Sequence, residues 1–258
     1  MIKLIEASSY SYAKAIDRIN QDCILSPRQI DGGFLFAVAD GVGSYSGSEK
    51  ASSLAIDHLS LIKNKDELVY DCSSIFEDIK QKLGGLKHHN PQHGKAATTL
   101  TFCYVDSEYI RVGHIGDCRL YIKDGNGRLV QLTKDHTQLQ QLVDEKLFTK
   151  KFLQDKKVKN ILTTAIAMDV SMKYDILQFP LREMLSDDGT VSIYIMSDGA
   201  HKFWDFRPRF SQRTMESVTN FATSIKRRIE FFTPMDDYSL VAIKIKLDQE
   251  GTENILSE

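Results

Sequence analysis

The residues with the clearest chemical potential are aspartates that lie where apolar runs begin or end. A single Asp-Gly pair most often marks a turn, but a pattern repeated along the chain needs another explanation. Antiparallel neighbours bring the end of one strand beside the start of the next, so these carboxylates are predicted to meet at one rim of a sheet. The pattern occurs at Asp40-Gly41, Gly116-Asp117, Asp198-Gly199 and Asp236-Asp237.

Carboxylates gathered at one rim repel one another, and each raises the pKa of its neighbours. A cluster that stays ionised therefore needs cations. Ligands that are all oxygen select hard ions such as Mg²⁺ or Mn²⁺, which keep several waters and need few carboxylates per ion. The aspartate pattern thus predicts a site for divalent metal ions.

The glycines that follow Asp40 allow a second interpretation, in which Gly41, Gly43 and Gly47 form a phosphate-binding loop of the dinucleotide type. That motif requires Gly-x-Gly-x-x-Gly after a strand, with an acidic residue about 20 positions further on. Here the third glycine comes one position late, and the nearest downstream acidic residue that could serve is Asp57. Because this interpretation also leaves the other strand-end aspartates without a role, it ranks below the metal site.

Length and composition restrict the class of protein. The chain has 258 residues, of which 42% are apolar, and this suits one large domain or two small ones with a substantial core. Lys and Arg number 33 and Asp and Glu number 35, and the resulting net charge of −2 argues against a nucleic-acid partner. Four cysteines are scattered without metal spacing, as is typical of reduced thiols in a cytosolic protein.

The sequence shows neither a membrane-spanning stretch nor the pattern of a secretion signal. No apolar stretch approaches the roughly 20 residues of a membrane span, and Glu6 interrupts the N-terminal segment before a signal-peptide core could form. We therefore expect a cytoplasmic monomer without a membrane partner.

Apolar periodicity predicts the elements that position the aspartates. Helical spacing begins at Ser48, resumes from Leu68 up to Gly84-Gly85, and recurs near 139–147 and over 215–232, where the basic run 226–228 is predicted to face solvent. Residues 148–160 are rich in lysine and predict a surface excursion. The apolar runs at 97–105, 109–115 and 118–123 are joined by short turns and predict an antiparallel meander. The remaining predicted strands are 2–7, 33–39, 191–196 and 239–247.

Six segments, in their order along the chain, resemble the metal-dependent protein phosphatases of the PPM (type 2C) family, and the short chain resembles its bacterial members. LTKDHT at 132–137 matches a Leu-Thr-x-Asp-His element of that family, and IMSDGAHKF at 195–203 is similar to its Ser-Asp-Gly motif. The other four segments are RINQD at 18–22, AVADGVG at 37–43, the threonine-rich stretch 96–122 that contains GDCRLYI, and DDYSLVAIKI at 236–245.

This resemblance implies an α+β fold in which an antiparallel β-sandwich is flanked by helices, giving four layers in the order αββα. It implies a single phosphatase domain over residues 1–258, with a variable flap beside the active site at about 148–175. The flap either governs the choice of substrate, with its lysines attracting acidic phosphopeptides, or is a solvated loop. These lysines are Lys150, Lys151, Lys156, Lys157 and Lys159.

The resemblance also implies the ligands of two Mn²⁺ or Mg²⁺ ions, with catalysis carried by Asp40, Asp198 and Asp236. Asp40 would bridge both ions, with the carbonyl of the following glycine as a further ligand, while Asp198 and Asp236 would complete the first ion. Asp22 would orient waters on the second ion, and Asp117 would serve a third, weaker ion. The implied ligands are therefore Asp22, Asp40, Gly41, Asp117, Asp198 and Asp236.

The implied reaction is hydrolysis of phosphoserine or phosphothreonine in proteins. Two ions about 3.5–4 Å apart lower the pKa of a shared water, and the resulting hydroxide attacks phosphorus in line. The ions also neutralise charge on the transferring group. The implied partners are a phosphorylated protein substrate and an opposing Ser/Thr kinase.

The sequence departs from the family at the arginine that binds the substrate phosphate, five residues before the first-motif aspartate. Asp17 holds that position here, Arg18 stands one place away, and Lys14 is nearby. We assign substrate binding to Arg18, with Lys14 as the alternative, although neither guarantees a bidentate clamp. This departure motivates an alternative function, a catalytically weak or inactive relative that binds phosphoproteins.

Two further positions leave alternatives open. His136 would either donate a proton or, together with Asp135, cap the following helix, and we favour the cap. Lys202 stands four places after Asp198, where the family usually has another aspartate for the third ion. Its ammonium would either lie near Asp117 and replace that ion or point into solvent, so two ions are expected and the third is in question.

Overall fold

A computed structural model describes residues 1–43, 46–149, 152–153 and 161–248. Its centre consists of two five-stranded antiparallel sheets. The first sheet has the order β1 (Ile2–Tyr12), β10 (Tyr238–Leu247), β9 (Thr190–Met196), β6 (Arg119–Lys123) and β7 (Leu129–Gln131). The second has the order β2 (Asp22–Ile30), β3 (Gly33–Asp40), β4 (Leu100–Val105), β5 (Tyr109–Ile115) and β8 (Asp175–Pro180).

Helices cover the outer faces of both sheets. Two of them, α1 and α3, pack on the second sheet, and α6 and α8 pack on the first. None of the helices in the described ranges is long and apolar enough to cross a membrane. The described helices are α1 (Ser48–Leu61), α2 (Asp66–Val69), α3 (Cys72–His89), α4 (Gln138–Asp144), α5 (Leu181–Met184), α6 (Asp198–Phe206), α7 (Gln212–Met215) and α8 (Val218–Phe232).

Three apolar clusters separate the four layers. The sequence of strand β3 is an unbroken apolar run because each of its two faces is buried in a different cluster. Phe36 and Val38 point between the sheets, whereas Leu35 and Ala37 point towards α1 and α3. The third cluster lies between the first sheet and α8 and includes Phe221. This is the predicted αββα sandwich, and the fold prediction is confirmed.

The predicted meander is wrong in its third strand. Strands β4 and β5 form a hairpin, but β6 pairs with β9 and β7 in the other sheet. The chain changes sheets at Gly116, whose backbone lies in the left-handed region with φ of 109°. A side chain there would place its Cβ 2.4 Å from Thr99, so this crossing needs glycine.

The second long helix does not end at its glycine pair, as the sequence predicted, but continues to His89. A Cβ on Gly84 would lie 2.8 Å from the sulfur of Met168. The glycine is therefore a point of close approach between α3 and the segment that follows the undescribed stretch, and not a helix end.

Candidate active site

A pocket of about 770 Å³ opens at one end of the β-sandwich, and aspartates from both sheets line it. Four of the five predicted aspartate ligands lie in its wall, as their positions at strand ends led us to expect, and the predicted Gly41 and Arg18 also line it. We call this the carboxylate pocket and define it by Asp40, Asp117, Asp198 and Asp236.

Asp22 and Asp40 face each other across the antiparallel pair of β2 and β3. Asp22 lies behind the pocket wall and is only 7% exposed. Neither of its carboxylate oxygens has a hydrogen-bond partner of ordinary geometry among the described residues, although the hydroxyls of Ser197 and Ser239 lie close enough to lower its pKa against the larger effect of burial. A buried carboxylate without partners is costly, and a cation with its bound waters is the kind of group that would satisfy it.

Asp117 is held by the residue before it. The backbone N–H of His136 donates to the Gly116 carbonyl at 2.7 Å, and the Gly116 N–H donates to His136 Nδ1 at 3.2 Å. The opposite ring nitrogen, Nε2, is 3.1 Å from a carboxylate oxygen of Asp175. The histidine thus fixes the crossing between the sheets at the point where Asp117 enters the pocket.

The favoured role of Asp135 and His136 as a helix cap is wrong. Thr137 caps α4, since its hydroxyl accepts a hydrogen bond from the backbone N–H of Gln140. Asp135 instead receives two hydrogen bonds of 2.7 Å from the buried guanidinium of Arg119. Local sequence could not distinguish a cap from this pair, because Arg119 lies in β6, far from Asp135 along the chain.

Asp198 begins α6, and the glycine after it sets how closely that helix approaches the start of β10. A Cβ on Gly199 would lie 2.0 Å from the carbonyl oxygen of Asp237, so only glycine permits this contact. The contact brings Asp198 and Asp236 into the same pocket wall.

The sequence did not reveal the role of Asp237. Its carboxylate accepts hydrogen bonds from the backbone N–H groups of Lys14 at 2.9 Å and Gln21 at 2.7 Å. The loop between these residues carries Arg18, so Asp237 fixes the entrance of the pocket. The only signal in the sequence was the Asp236-Asp237 pair. It did not show which aspartate lines the pocket as a candidate metal ligand and which one anchors the loop.

Burial and mutual repulsion shift the acid strengths of the buried aspartates. Burial raises the pKa of Asp22 to about 7, and the charges of Asp198 and Asp237 add to the effect. Burial likewise raises the pKa of Asp117 to about 7, again with a contribution from Asp198. The pKa of Asp40 is raised well above its ordinary value, first by burial and then by Asp22. These carboxylates therefore resist ionisation unless cations compensate them.

Lys202 supplies one such positive charge, but to a different partner than the sequence suggested. Its ammonium forms an ion pair with Asp198 at 2.5 Å, one turn earlier in α6, and not with Asp117. Burial alone would lower the pKa of Lys202, yet the carboxylates of Asp198 and Asp117 raise it. The lysine therefore stays charged beside Asp198, which lines the pocket.

The donor set fits hard divalent ions that keep much of their water. Within the described ranges, no three Asp, Glu, His or Cys side chains already form a closed ligand set. Mg²⁺ and its analogues are typically bound by one or two carboxylates per ion, with waters completing the shell. The unpartnered oxygens of Asp22 and the opposed Asp40 match this pattern.

The rest of the pocket lining comes from the loop at 14–21 and from the segment that begins at residue 161. Arg18 lines the entrance, whereas the ammonium of Lys14 is 3.3 Å from Asp236. Ile161 and Leu162 also line the pocket. The predicted flap lysines, Lys150, Lys151, Lys156, Lys157 and Lys159, lie outside the described residues.

Four layers of αββα architecture and a pocket of buried aspartates at one end of the sandwich together define the class of the type 2C phosphatases. Residues 14–239 match the sequence profile described as "Protein phosphatase 2C". The chain belongs to this family.

Curated relatives include serine/threonine protein phosphatases of bacteria. PstP of Mycobacterium tuberculosis is 32% identical over 117 residues, which make up 44% of this chain and 23% of that protein. The match therefore spans less than a quarter of that relative's length. The serine/threonine phosphatase stp of Listeria welshimeri is 20% identical over 230 residues, or 84% of this chain and 86% of that protein.

Solved structures show the same fold at low sequence identity. The M. tuberculosis serine/threonine phosphatase PstP/Ppp superposes with a TM-score of 0.75 and 21% identity, covering 96% of this chain and 99% of that one. The catalytic domain of PstP in complex with two manganese ions gives a TM-score of 0.72 at 21% identity, covering 95% and 100% of the two chains.

Proposed function

We propose that this protein hydrolyses phosphoserine and phosphothreonine esters in proteins with the help of divalent metal ions. The observation that carries the proposal is the pair of opposed aspartates, Asp22 and Asp40, with the buried Asp22 oxygens unpartnered among the described residues. Membership of the type 2C family and the activity named for its curated relatives support it.

Within this proposal, the aspartates of the carboxylate pocket hold the metal ions. Asp40 would contribute to both ions, with the Gly41 carbonyl beside it, while Asp198 and Asp236 would complete the first ion and Asp22 would act on the second through its waters. When bound, the two ions supply Lewis acidity and lower the pKa of the attacking water. Manganese is supported by the two ions named for the PstP complex, and magnesium is the alternative.

The chain's own residues orient the ester. Arg18 binds the substrate phosphate at the pocket entrance, on the loop that Asp237 anchors. Lys14 is a weaker candidate because it already pairs with Asp236. Ile161 and Leu162 supply apolar lining to the same pocket.

The decisive experiment is hydrolysis of p-nitrophenyl phosphate with and without Mn²⁺. Turnover that requires Mn²⁺ and is lost in Asp198→Asn, but kept in the exposed control Asp187→Asn, supports the proposal. Absence of turnover by the wild type at saturating Mn²⁺, together with retained binding of phosphopeptides, would instead favour the phosphoprotein-binding alternative.

We propose that the flap at 148–175 governs the choice of substrate and not the chemistry. Its described part supports this, since Ile161 lines the pocket and Ile166 bridges to Thr98 beside β4. Replacing its lysines with glutamine should change rates on phosphopeptides but leave p-nitrophenyl phosphate unaffected. Equal changes on both substrates would remove the basis for this role.

We further propose that Lys202 takes the place of a third ion. Its ammonium pairs with Asp198, and its positive charge also lowers the pKa of the nearby Asp117 against the larger effect of burial. Activity should then saturate as two ions bind, without a weak millimolar phase. Lys202→Asp should create that phase, and a wild type that already shows it would contradict the proposal.

The proposed cellular setting follows from the same reasoning. The substrate would be a phosphoprotein modified by an opposing Ser/Thr kinase, and the protein would act as a cytoplasmic monomer with one phosphatase domain. Sedimentation velocity of the purified chain tests the monomeric state.

A further inference from the structure

A second groove lies on the outer helical layer, between the C-terminal ends of α6 and α8, and has a volume of about 720 Å³. Three phenylalanines on its walls are exposed, Phe206 to 73%, Phe231 to 81% and Phe232 to 53%. Their rings contact edge to face, with centroids 5.7 Å apart for Phe206 and Phe232 and 5.1 Å apart for Phe231 and Phe232. Exposed apolar surface that is contiguous in this way marks an interaction site.

The same groove carries positive charge without internal compensation. Arg207, Arg209 and Arg227 lie in its lining, and in the described part of the chain none of them forms an ion pair. The described lining also contains no acidic residue. Acidic neighbours on the two helices are already engaged, since Asp205 pairs with Arg119 and Glu230 pairs with Lys226.

Arg228 builds the wall of the groove, so the predicted solvent-facing run 226–228 holds at the exposed Arg227 but not at Arg228, which is only partly exposed. Its guanidinium donates hydrogen bonds to the carbonyls of Phe203, Arg207 and Arg209 at 3.1, 2.6 and 3.0 Å. It also stacks 4.0 Å above the ring of Phe210. Four contacts from one side chain fix the turn that presents Arg207 and Arg209, so the groove is already shaped before a ligand arrives.

The groove is within reach of a substrate bound in the carboxylate pocket. Helix α6 begins at Asp198 in that pocket and ends at Phe206, its ninth residue. Nine helical residues span about 13 Å. An extended peptide covers that distance in about four or five residues.

We propose that this groove, defined by Phe206, Arg207, Arg209, Arg227, Phe231 and Phe232, docks an acidic segment of the phosphoprotein substrate that carries one apolar side chain. This rests on the proposed phosphatase function and adds a substrate preference to it. The arginines bind carboxylates, and the phenylalanines surround the apolar side chain. An acidic peptide fits better than a membrane or nucleic acid, because the site is concave and the whole chain has a net charge of −2.

The experiment compares two phosphoserine peptides and p-nitrophenyl phosphate in saturating Mn²⁺. One peptide carries Glu-Glu-Leu-Glu on both sides of the phosphoserine after four-residue spacers, and the other carries Gly-Ser-Gly-Ser there. The variant is Arg207→Glu/Arg209→Glu, and the matched control is Arg128→Glu/Arg182→Glu, at arginines that are exposed elsewhere. Phe231→Ala is compared with Tyr70→Ala, because Tyr70 is 80% exposed outside the groove.

We expect the wild type and both controls to show a kcat/KM at least tenfold higher for the acidic peptide than for the neutral one. The difference should come from a lower KM for the acidic peptide. The groove variants should lose this preference while turnover of p-nitrophenyl phosphate stays unchanged. Equal use of both peptides by the wild type, or an intact preference in the groove variants, overturns the proposal. The proposal is also overturned if the groove substitutions leave peptide turnover unchanged but abolish binding of the protein to anionic vesicles, to single-stranded RNA or to a second copy of the chain. If neither the wild type nor any variant hydrolyses p-nitrophenyl phosphate, the result contradicts the proposed phosphatase function itself.

Discussion

The most diagnostic stability effect is expected at Asp22, the buried carboxylate whose oxygens lack ordinary hydrogen-bond partners among the described residues. Asp22→Asn keeps the size of the side chain and removes its charge. In EDTA at pH 8, the variant should therefore be more stable than the wild type. A substitution at a proposed metal ligand that stabilises the metal-free protein is the opposite of what a structural aspartate would show.

The magnitude follows from the shifted acid strength. Burial and nearby acids move the pKa of Asp22 from 3.8 to about 7. At about 1.4 kcal/mol per pKa unit, keeping the group ionised in the fold costs about 4 kcal/mol. Burying the asparagine amide without partners itself costs about 1–3 kcal/mol. The variant should therefore be more stable than the wild type by about 1–3 kcal/mol.

The sign also fixes the pH dependence. A folded pKa above the unfolded one means that the wild type has no penalty below pH 4, loses stability as pH rises towards 7, and keeps that loss above it. The difference between Asp22→Asn and the wild type should follow the same course. Thermal unfolding in EDTA between pH 4 and pH 8 measures it, with exposed Asp187→Asn as the control.

At pH 8 the gain corresponds to a rise in Tm of about 2–10 °C for a chain of this size. Saturating Mn²⁺ should reverse the order, because the wild type gains more from the metal. A variant that is less stable than the wild type in EDTA at pH 8, or a difference that does not change with pH, would show that carboxylate repulsion does not govern this site.

Three further substitutions test other parts of the structure. Gly199→Ala should cost about 1–3 kcal/mol by forcing α6 away from β10, and unchanged urea unfolding would show that the contact is not tight. Arg119→Met should cost about 3–5 kcal/mol because it leaves Asp135 buried and unpaired. Asp205→Asn, at the half-exposed end of the same network, should cost under about 1 kcal/mol, and equal losses would contradict this ranking. Lys202→Met should raise Mn²⁺ affinity severalfold in calorimetry by freeing its carboxylate partner, and weaker binding would contradict that role.

Those parts of the fold that are buried on both sides could be predicted from the sequence. Strand β3 is covered on both faces, so its residues are apolar without interruption and its limits were clear. Strands β2 and β8 lie at sheet edges, where exposed and buried positions mix, and the sequence did not predict them. The change of sheet at Gly116 also escaped prediction, because a glycine turn does not indicate which sheet the next strand joins.

Three aspartates of the carboxylate pocket could be found because each lies at a strand end beside a glycine, as in Asp40-Gly41, Gly116-Asp117 and Asp198-Gly199, and this leaves a local pattern in the sequence. Residues that act through partners distant in sequence leave no such pattern. This group includes Asp237, which accepts hydrogen bonds from the backbone of the loop at 14–21. It also includes His136, whose ring accepts a hydrogen bond from the Gly116 N–H. The same holds for Arg228, whose basic neighbours suggested only a solvated helix face.

An anomalous difference map from a crystal soaked in Mn²⁺, recorded at the manganese edge, examines the proposed metal centre itself. It should show two peaks about 3.5–4 Å apart, with a carboxylate oxygen of Asp40 about 2.0–2.2 Å from each. Asp198 and Asp236 should contact only the first of them. Peaks that do not touch Asp40, or no peak in the carboxylate pocket at saturating Mn²⁺, would contradict the proposed two-metal phosphatase.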